Sequence, residues 1–472
     1  MTPPRGALTE GPIVRTLLLF SLPILGANVL QSLNASVNAI WVGHFLGESA
    51  FAATSNANLI LFFLLGVVFG VGMATTIMVG QTLGAHDVPE ARRVVGTGLG
   101  FFVVLSVLVA LGGFVATPLM LRAMGTPHDA LPFATDYLRI IFVALPAMYL
   151  YTFLMMTLRG AGDSRTPFAF MLVSVVLDVA LNPLFIFGLG PVPAMGIAGS
   201  AVATLIAQVV SLLALIAWLY HRKHFLCIHR HELRLLIPEP VLLRQLVMKG
   251  LPMGAQMIVI SSSAIIMMSL VNRHGSQTTA AYGAAAQLWT YIQMPALAIG
   301  SAVSSMVAQN VGAKRWDRVA GIGRAGVLTN FTLTGTLVLV IYLFNRAALA
   351  LFLGEDSSAI GIAQHLNHIV VWSFLLFGVT FVMFGVVRAT GAVMLPLIVL
   401  VISMWLVRYP FAALLEPRWG ADAIWWSFPV GSLVSIAITT VYYRRGSWKK
   451  AHMLPATPAS VGASPAGDGS LP

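Results

Sequence analysis

Long apolar runs separated by short polar breaks pattern this chain from end to end. Most runs reach roughly 20 residues or more, the length at which a helix crosses the hydrocarbon core of a bilayer. Their apolar positions do not alternate with polar ones as in a half-buried strand, and a lipid-exposed backbone must satisfy its own hydrogen bonds. The breaks carry the Gly, Pro, Asp and Arg that end helices. The pattern predicts an all-α polytopic membrane protein with twelve spans, at about 13–42, 48–80, 91–118, 131–159, 165–189, 195–222, 244–273, 277–310, 320–345, 360–388, 393–415 and 420–444.

The spans divide into two sets of six, because short motifs recur at a nearly fixed distance. Leu22-Pro23 matches Leu251-Pro252, and Gln81, Gly84 and Ala85 in VGQTLGA match Gln309, Gly312 and Ala313 in VAQNVGA. Arg159, Gly162 and Pro167 in LRGAGDSRTP match Arg388, Gly391 and Pro396 in VRATGAVMLP, all 229 residues apart. Each half holds an even number of spans, so the two are parallel repeats about an axis along the membrane normal, expected as two pseudo-symmetric six-helix bundles. The expected organisation is an N-lobe over 1–222, a cytoplasmic linker over 223–243 broken by Pro238 and Pro240, a C-lobe over 244–445, and a disordered cytoplasmic tail over 446–472, whose small, polar, Pro-rich end lacks the apolar surface to fold.

Composition agrees: 58% of the residues are hydrophobic and only 9% charged, with a mean hydropathy of +0.87. The net charge of +11 does not mark a nucleic-acid partner. Most Lys and Arg sit in the N-terminus, the C-terminal tail and alternate loops, the positive-inside bias that puts both termini in the cytoplasm of an inner-membrane protein. Cys227 stands alone, which excludes a disulfide framework or thiolate metal site. The first apolar run lacks a small-residue cleavage pattern and reads as a span rather than a cleaved signal. His221, His224, His229 and His231 lie in the basic linker without a fixed set of acidic partners, as on a solvated, headgroup-facing surface. Glycines at GTGLG (96–100) fall inside a span with no preceding strand, so they read as helix packing; no phosphate-binding loop or catalytic cluster is present, and the chain is not expected to be an enzyme or to carry a cofactor.

The stretch LDVALNP (177–183) carries the candidate chemistry. An aspartate inside a span costs about 2.5–3.5 kcal/mol on insertion scales and normally faces a water-filled path. Asn182 follows Asp178 by four residues, on the same helix face. Pro183 has no amide hydrogen to give the carbonyl of Val179, which leaves an acceptor beside that face. Such a nook suits a proton, a small cation or an organic ammonium, or it is a hydrogen-bonded packing contact. The other intramembrane charge considered, Arg408, repels a cation, pairs with an acid or snorkels to the interface, the last favoured by its place near a span end. Methionines and phenylalanines supply either an adaptable binding wall or ordinary lipid-facing and core surface.

The Leu-Pro pair opening each half, the VGQTLGA and VAQNVGA boxes, the LRGAGDSRTP loop, and LNPLFIFG followed by GIAGSAVATLIA resemble the multidrug and toxic compound extrusion (MATE) transporters over about residues 10–445. The resemblance implies two six-helix lobes that rock between outward-open and inward-open forms, exporting cationic amphipathic drugs in exchange for H+, or alternatively Na+. The expected partners are small cationic or amphipathic drugs and the lipid bilayer, without nucleic acid, and the expected state is a monomer.

The seventh, eighth and tenth spans offer Gln256, Gln287, Gln293 and Thr380 but no carboxylate, so an ion-linked acid must come from the N-lobe, as in the DinF-like branch. Mapped onto that branch, Asn38 stands where an aspartate is usual, Asp178 and Asn182 appear exchanged, and Thr204 matches its threonine. The cluster Asp178, Asn182, Asn38 and Thr204 is thus the implied ion and substrate site, with Na+ possible there. Gln31 is expected along the same side, and Pro23 and Pro183 are kink or gating positions. A lipid or lipid-linked oligosaccharide flippase of the same superfamily is the alternative, and a non-transporting membrane receptor or enzyme the third reading.

Overall fold

A computed structural model describes residues 8–454 except 47, 124, 127–129 and 189–192. Among the described residues there is no strand. The N-lobe holds six long helices: α1 (Ile13–Leu46), α2 (Glu48–Gly84), α3 (Val88–Ala123), α4 (Leu131–Gly160), α5 (Arg165–Phe187) and α6 (Ile197–His221). The C-lobe begins with α7 (Pro240–Asn272), α8 (Ser276–Gly312) and α9 (Trp316–Leu343), followed by the short α10 (Asn345–Leu353). Its tenth span comprises α11 (Ala359–Val370) and α12 (Ser373–Thr390), and the eleventh comprises α13 (Met394–Leu400), a π-helical stretch Val401–Arg408, and α14 (Tyr409–Trp419). The last is α15 (Ala421–Arg445). Twelve of these helical stretches are long and apolar enough to cross a membrane, and the molecule is a two-lobed, twelve-span membrane protein.

The repeat is written into the backbone as well as the sequence. The ends of α2 and α8 are capped alike: His86 at φ 61° and Lys314 at φ 59° take the left-handed turn, and the amides of Asp87 and Arg315 bond back to Thr82 and Asn310. The fourth span of each half closes on a positive-φ glycine, Gly162 or Gly391, whose amide bonds to Arg159 or Arg388.

The lobes meet in the half of the bundle that carries the chain's start. A side chain on Gly84 would strike the carbonyl of Gln309, and one on Gly312 would strike that of Gln81, so these helices approach backbone to backbone. Gly70 fits likewise against Gly250 and Gly254 of α7. Across the same seam Gln81 Nε2 donates to the carbonyl of Ala389 at 2.7 Å, while Gln309 Nε2 donates to that of Gly160 at 3.0 Å. These contacts are reciprocal: each glutamine reaches the end of the fourth span of the opposite lobe. The segment before α1 crosses the seam too, with Asn310 Nδ2 donating to the carbonyl of Leu8 at 3.0 Å.

Two connecting segments lie closer to the lobes than their composition suggests. The linker runs along α3, where Gly96 and Gly100 leave room for the carbonyls of Leu235 and Leu236. Arg92 bonds to the carbonyl of Phe225 and to Glu232, and Arg93 to Glu239. Glycine spacing in α3 therefore serves packing of the linker backbone. Immediately after α15, Trp448 is buried at 2% exposure between Tyr443 and Trp316, and its carbonyl accepts from Thr390. The expected tail thus begins as an ordered foot under the C-lobe through Leu454, because an indole there covers apolar surface that the polar end cannot; residues 455–472 lie outside those described.

Candidate functional site

Three N-lobe helices converge on the carboxylate of Asp178. On α5, Asp178 is 3% exposed and Asn182, one turn on, is fully buried. Oδ2 of Asp178 accepts from Asn38 Nδ2 and from Asn34 Nδ2, both on α1 and both at 2.9 Å. Oδ1 accepts from Thr204 Oγ1 of α6 at 2.9 Å. Asn182 Nδ2 completes the cluster, donating to Asn38 Oδ1 at 3.0 Å and to the carbonyl of Asp178 at 2.8 Å. The structure therefore brings together Asp178, Asn182, Asn38 and Thr204. Every donor to the carboxylate is neutral, and no basic side chain pairs with it among the described residues.

Asn34 is the member that the sequence reading missed. Its signal was available: Asn34 and Asn38 are four apart, a polar pair on one helix face that mirrors Asp178 and Asn182. Tyr137 of α4, also unforeseen, is buried within electrostatic reach of the aspartate. Two amide oxygens, Asn34 Oδ1 and Asn182 Oδ1, are buried without a hydrogen-bond partner among the described residues. Gln31 lies exposed on the same face of α1, outside the bonded cluster. Pro23 and Pro183 both sit inside continuous helices.

Arg408 does not snorkel. The π-helical stretch carries it to the bundle side of the eleventh span, where its Cζ lies 3.2 Å from the centroid of the Phe428 ring on α15. A second buried cation, Arg388, was recognised in the sequence only as a repeat marker; it bonds to the carbonyl of Phe384 and to Gln256 Oε1 and stacks over Phe381.

Two parallel six-helix lobes joined by a backbone-to-backbone seam at one end hold a buried polar cluster inside one of them, a repeat architecture on which many membrane transporters are built. The MatE family model matches residues 23–184 and 252–414, one copy in each lobe. The chain belongs to this family, the MATE multidrug efflux transporters, whose members are carriers and not enzymes. It is 38% identical to the probable multidrug resistance protein YoeA of Bacillus subtilis over 92% of this chain and 94% of that one. It is 33% identical to the probable multidrug resistance protein YpnP of the same organism, over 93% and 97%. In fold it matches a solved multidrug resistance MATE family transporter in the outward-facing conformation, with a TM-score of 0.88 and 21% identity over 95% of this chain and all of that one.

Proposed function

We propose that this protein is a monomeric antiporter of the cytoplasmic membrane that exports amphipathic organic cations in exchange for protons, with Asp178 as the site for which the two compete. The observation that carries this reading is a buried carboxylate bonded only to neutral donors. Its charge is solvated by the cluster but not cancelled, so an arriving cation or proton supplies what is missing. Competition for one acid suffices to couple the two flows. The relatives named as multidrug resistance proteins support drug-like substrates.

The cluster favours a proton over Na+. An ionised carboxylate only accepts hydrogen bonds, while a protonated one also donates. Asn34 has an unpartnered Oδ1 beside the Asp178 Oδ2 to which it now donates. Turning that one amide lets the network close again around a protonated acid. A sodium ion at Oδ2 would instead have to displace the donors of both Asn34 and Asn38. With both termini cytoplasmic, the seam described above closes the cytoplasmic end, and in this state a proton on Asp178 releases the drug outward and is carried inward on return. Pro183, which leaves the Val179 carbonyl without its helical donor, and Pro23 give α5 and α1 places to bend. Gln31 extends the polar side of α1 along the path.

Export of a fluorescent organic cation from proteoliposomes, driven by a pH gradient or a sodium gradient alone, tests this reading. The pH gradient is expected to drive export by the native protein and not by Asp178→Asn. Undiminished export by the variant would overturn the role of Asp178, and export driven only by sodium would overturn the proton.

A further inference from the structure

The repeat gives the Asp178 cluster a counterpart in the C-lobe. Helices α6 and α15 both start after a positive-φ glycine, Gly196 at φ 56° and Gly420 at φ 57°, and both have 25 residues. Thr204 and Phe428 hold the same place in them, 224 positions apart. Helix α5 starts at Arg165 and α13 at Met394, 229 positions later. A π-turn holds one more residue than an α-turn, so past Val401–Arg408 the offset becomes 230 and Asp178 falls opposite Arg408. Contact supports this alignment: Thr204 touches Asp178 in one lobe, and Phe428 touches Arg408 in the other. Asn38 and Asn182 fall opposite Met267 and Ala412, both buried.

Where the N-lobe has oxygens, the C-lobe has rings. Phe428 packs 5.1 Å from Trp289 and 6.4 Å from Tyr282. Tyr282 in turn stacks on Trp425 at 5.9 Å and meets Trp289 edge-on at 5.7 Å. Aromatic boxes of this kind hold organic cations through the negative faces of the rings. Arg408 Nε is buried without a hydrogen-bond partner, and among the described residues no carboxylate pairs with the guanidinium. Glu416, the nearest acid along its helix, is engaged by His274 and Arg273. The guanidinium lies against one ring of this cluster, Phe428, rather than against an anion.

We infer that Arg408 is a tethered cation. It occupies the aromatic box of the C-lobe through the Phe428 ring face, at the place equivalent to the proposed ion site of the N-lobe, and so confines cation binding to Asp178. The confinement to Asp178 rests on the function proposed above; the filled box does not.

The test uses Arg408→Ala in the purified full-length protein, with guanidinium ion as probe and urea, its neutral near-isostere, as control. Guanidinium at millimolar concentration is expected to change the tryptophan fluorescence of the variant saturably, with urea and potassium chloride inert and the native protein unresponsive. Bound tetramethylammonium is expected to rise by one per protein in Arg408→Ala, and the gained site is expected to survive addition of Asp178→Asn. No saturable response, an equal response to urea, or an equal response in native protein would overturn the inference. Arg408→Gln reads the same box if the alanine variant does not fold, and Arg408→Lys, which keeps a charge, is expected to behave as native. An error about Asp178 would alter the count in native protein and leave the increment of one intact.

Discussion

Thr204 and Phe428 begin from matching glycines and arrive at matching places, yet one donates to a carboxylate and the other lies under a guanidinium. The backbone of the two lobes has stayed parallel while the charge at its centre has changed sign. A duplicated scaffold thus keeps its symmetry in the seam, where glycine meets backbone in both directions. Polar contacts inside the lobes have diverged one at a time. The seam is the symmetric part of the molecule, and the two polar sites are the asymmetric part.

Several variants break or sharpen that contrast. The largest effect is expected from Asp178→Arg, which gives both lobes the same charge: binding of an organic cation to purified protein should be lost, while the fold, checked by helicity and monodispersity, persists. Next comes the seam. Gly84→Leu and Gly312→Leu each place a branched side chain against a backbone carbonyl of the other lobe, and either should drive the lobes apart at this end. Spin-label distances across the seam would lengthen in both, and by similar amounts if the two halves are mechanically equivalent. Thr204→Val removes a hydrogen bond to a charged group, worth about 1.5–3 kcal/mol, so cation affinity measured by equilibrium dialysis should fall roughly ten- to hundredfold. Phe428→Leu at the equivalent place should leave that affinity unchanged. The smallest effect belongs to Gln81→Ala and Gln309→Ala, each removing one hydrogen bond of about 0.5–1.5 kcal/mol. Each should shift the balance of seam-closed to seam-open molecules by severalfold, and unequal shifts would show that the reciprocal bonds are not energetically alike.

Much of this was legible in the sequence. Lipid leaves a backbone few ways to satisfy its hydrogen bonds, so apolar run length located all twelve spans, and the motif spacing revealed the repeat before any coordinates. Asp178 stood out by cost alone, and Asn182 by helical spacing. Other features were hidden for physical reasons. Nearly uniform apolar sequence carries no helical phase, so neither the turn at Val371 and Trp372 nor the π-stretch over Val401–Arg408 left a mark. Arg408 was read from its place near a span end, which does not tell to which side the π-stretch turns it. Trp448 followed a run of basic residues and preceded a polar tail, and only packing against Tyr443 shows that it is held. Asn34 was overlooked although its spacing from Asn38 announced it.

The absence of side chains at Gly70, Gly84, Gly250 and Gly312 bears on more than close approach. At these four positions backbone meets backbone, so the joint closes in a single register, with the apolar side chains around it, Val71, Ile77, Val303 and Val307 among them, buried as it closes. Under the function proposed above, a seam keyed by glycine parts and closes again into the same register, because any offset would drive a neighbouring side chain into backbone.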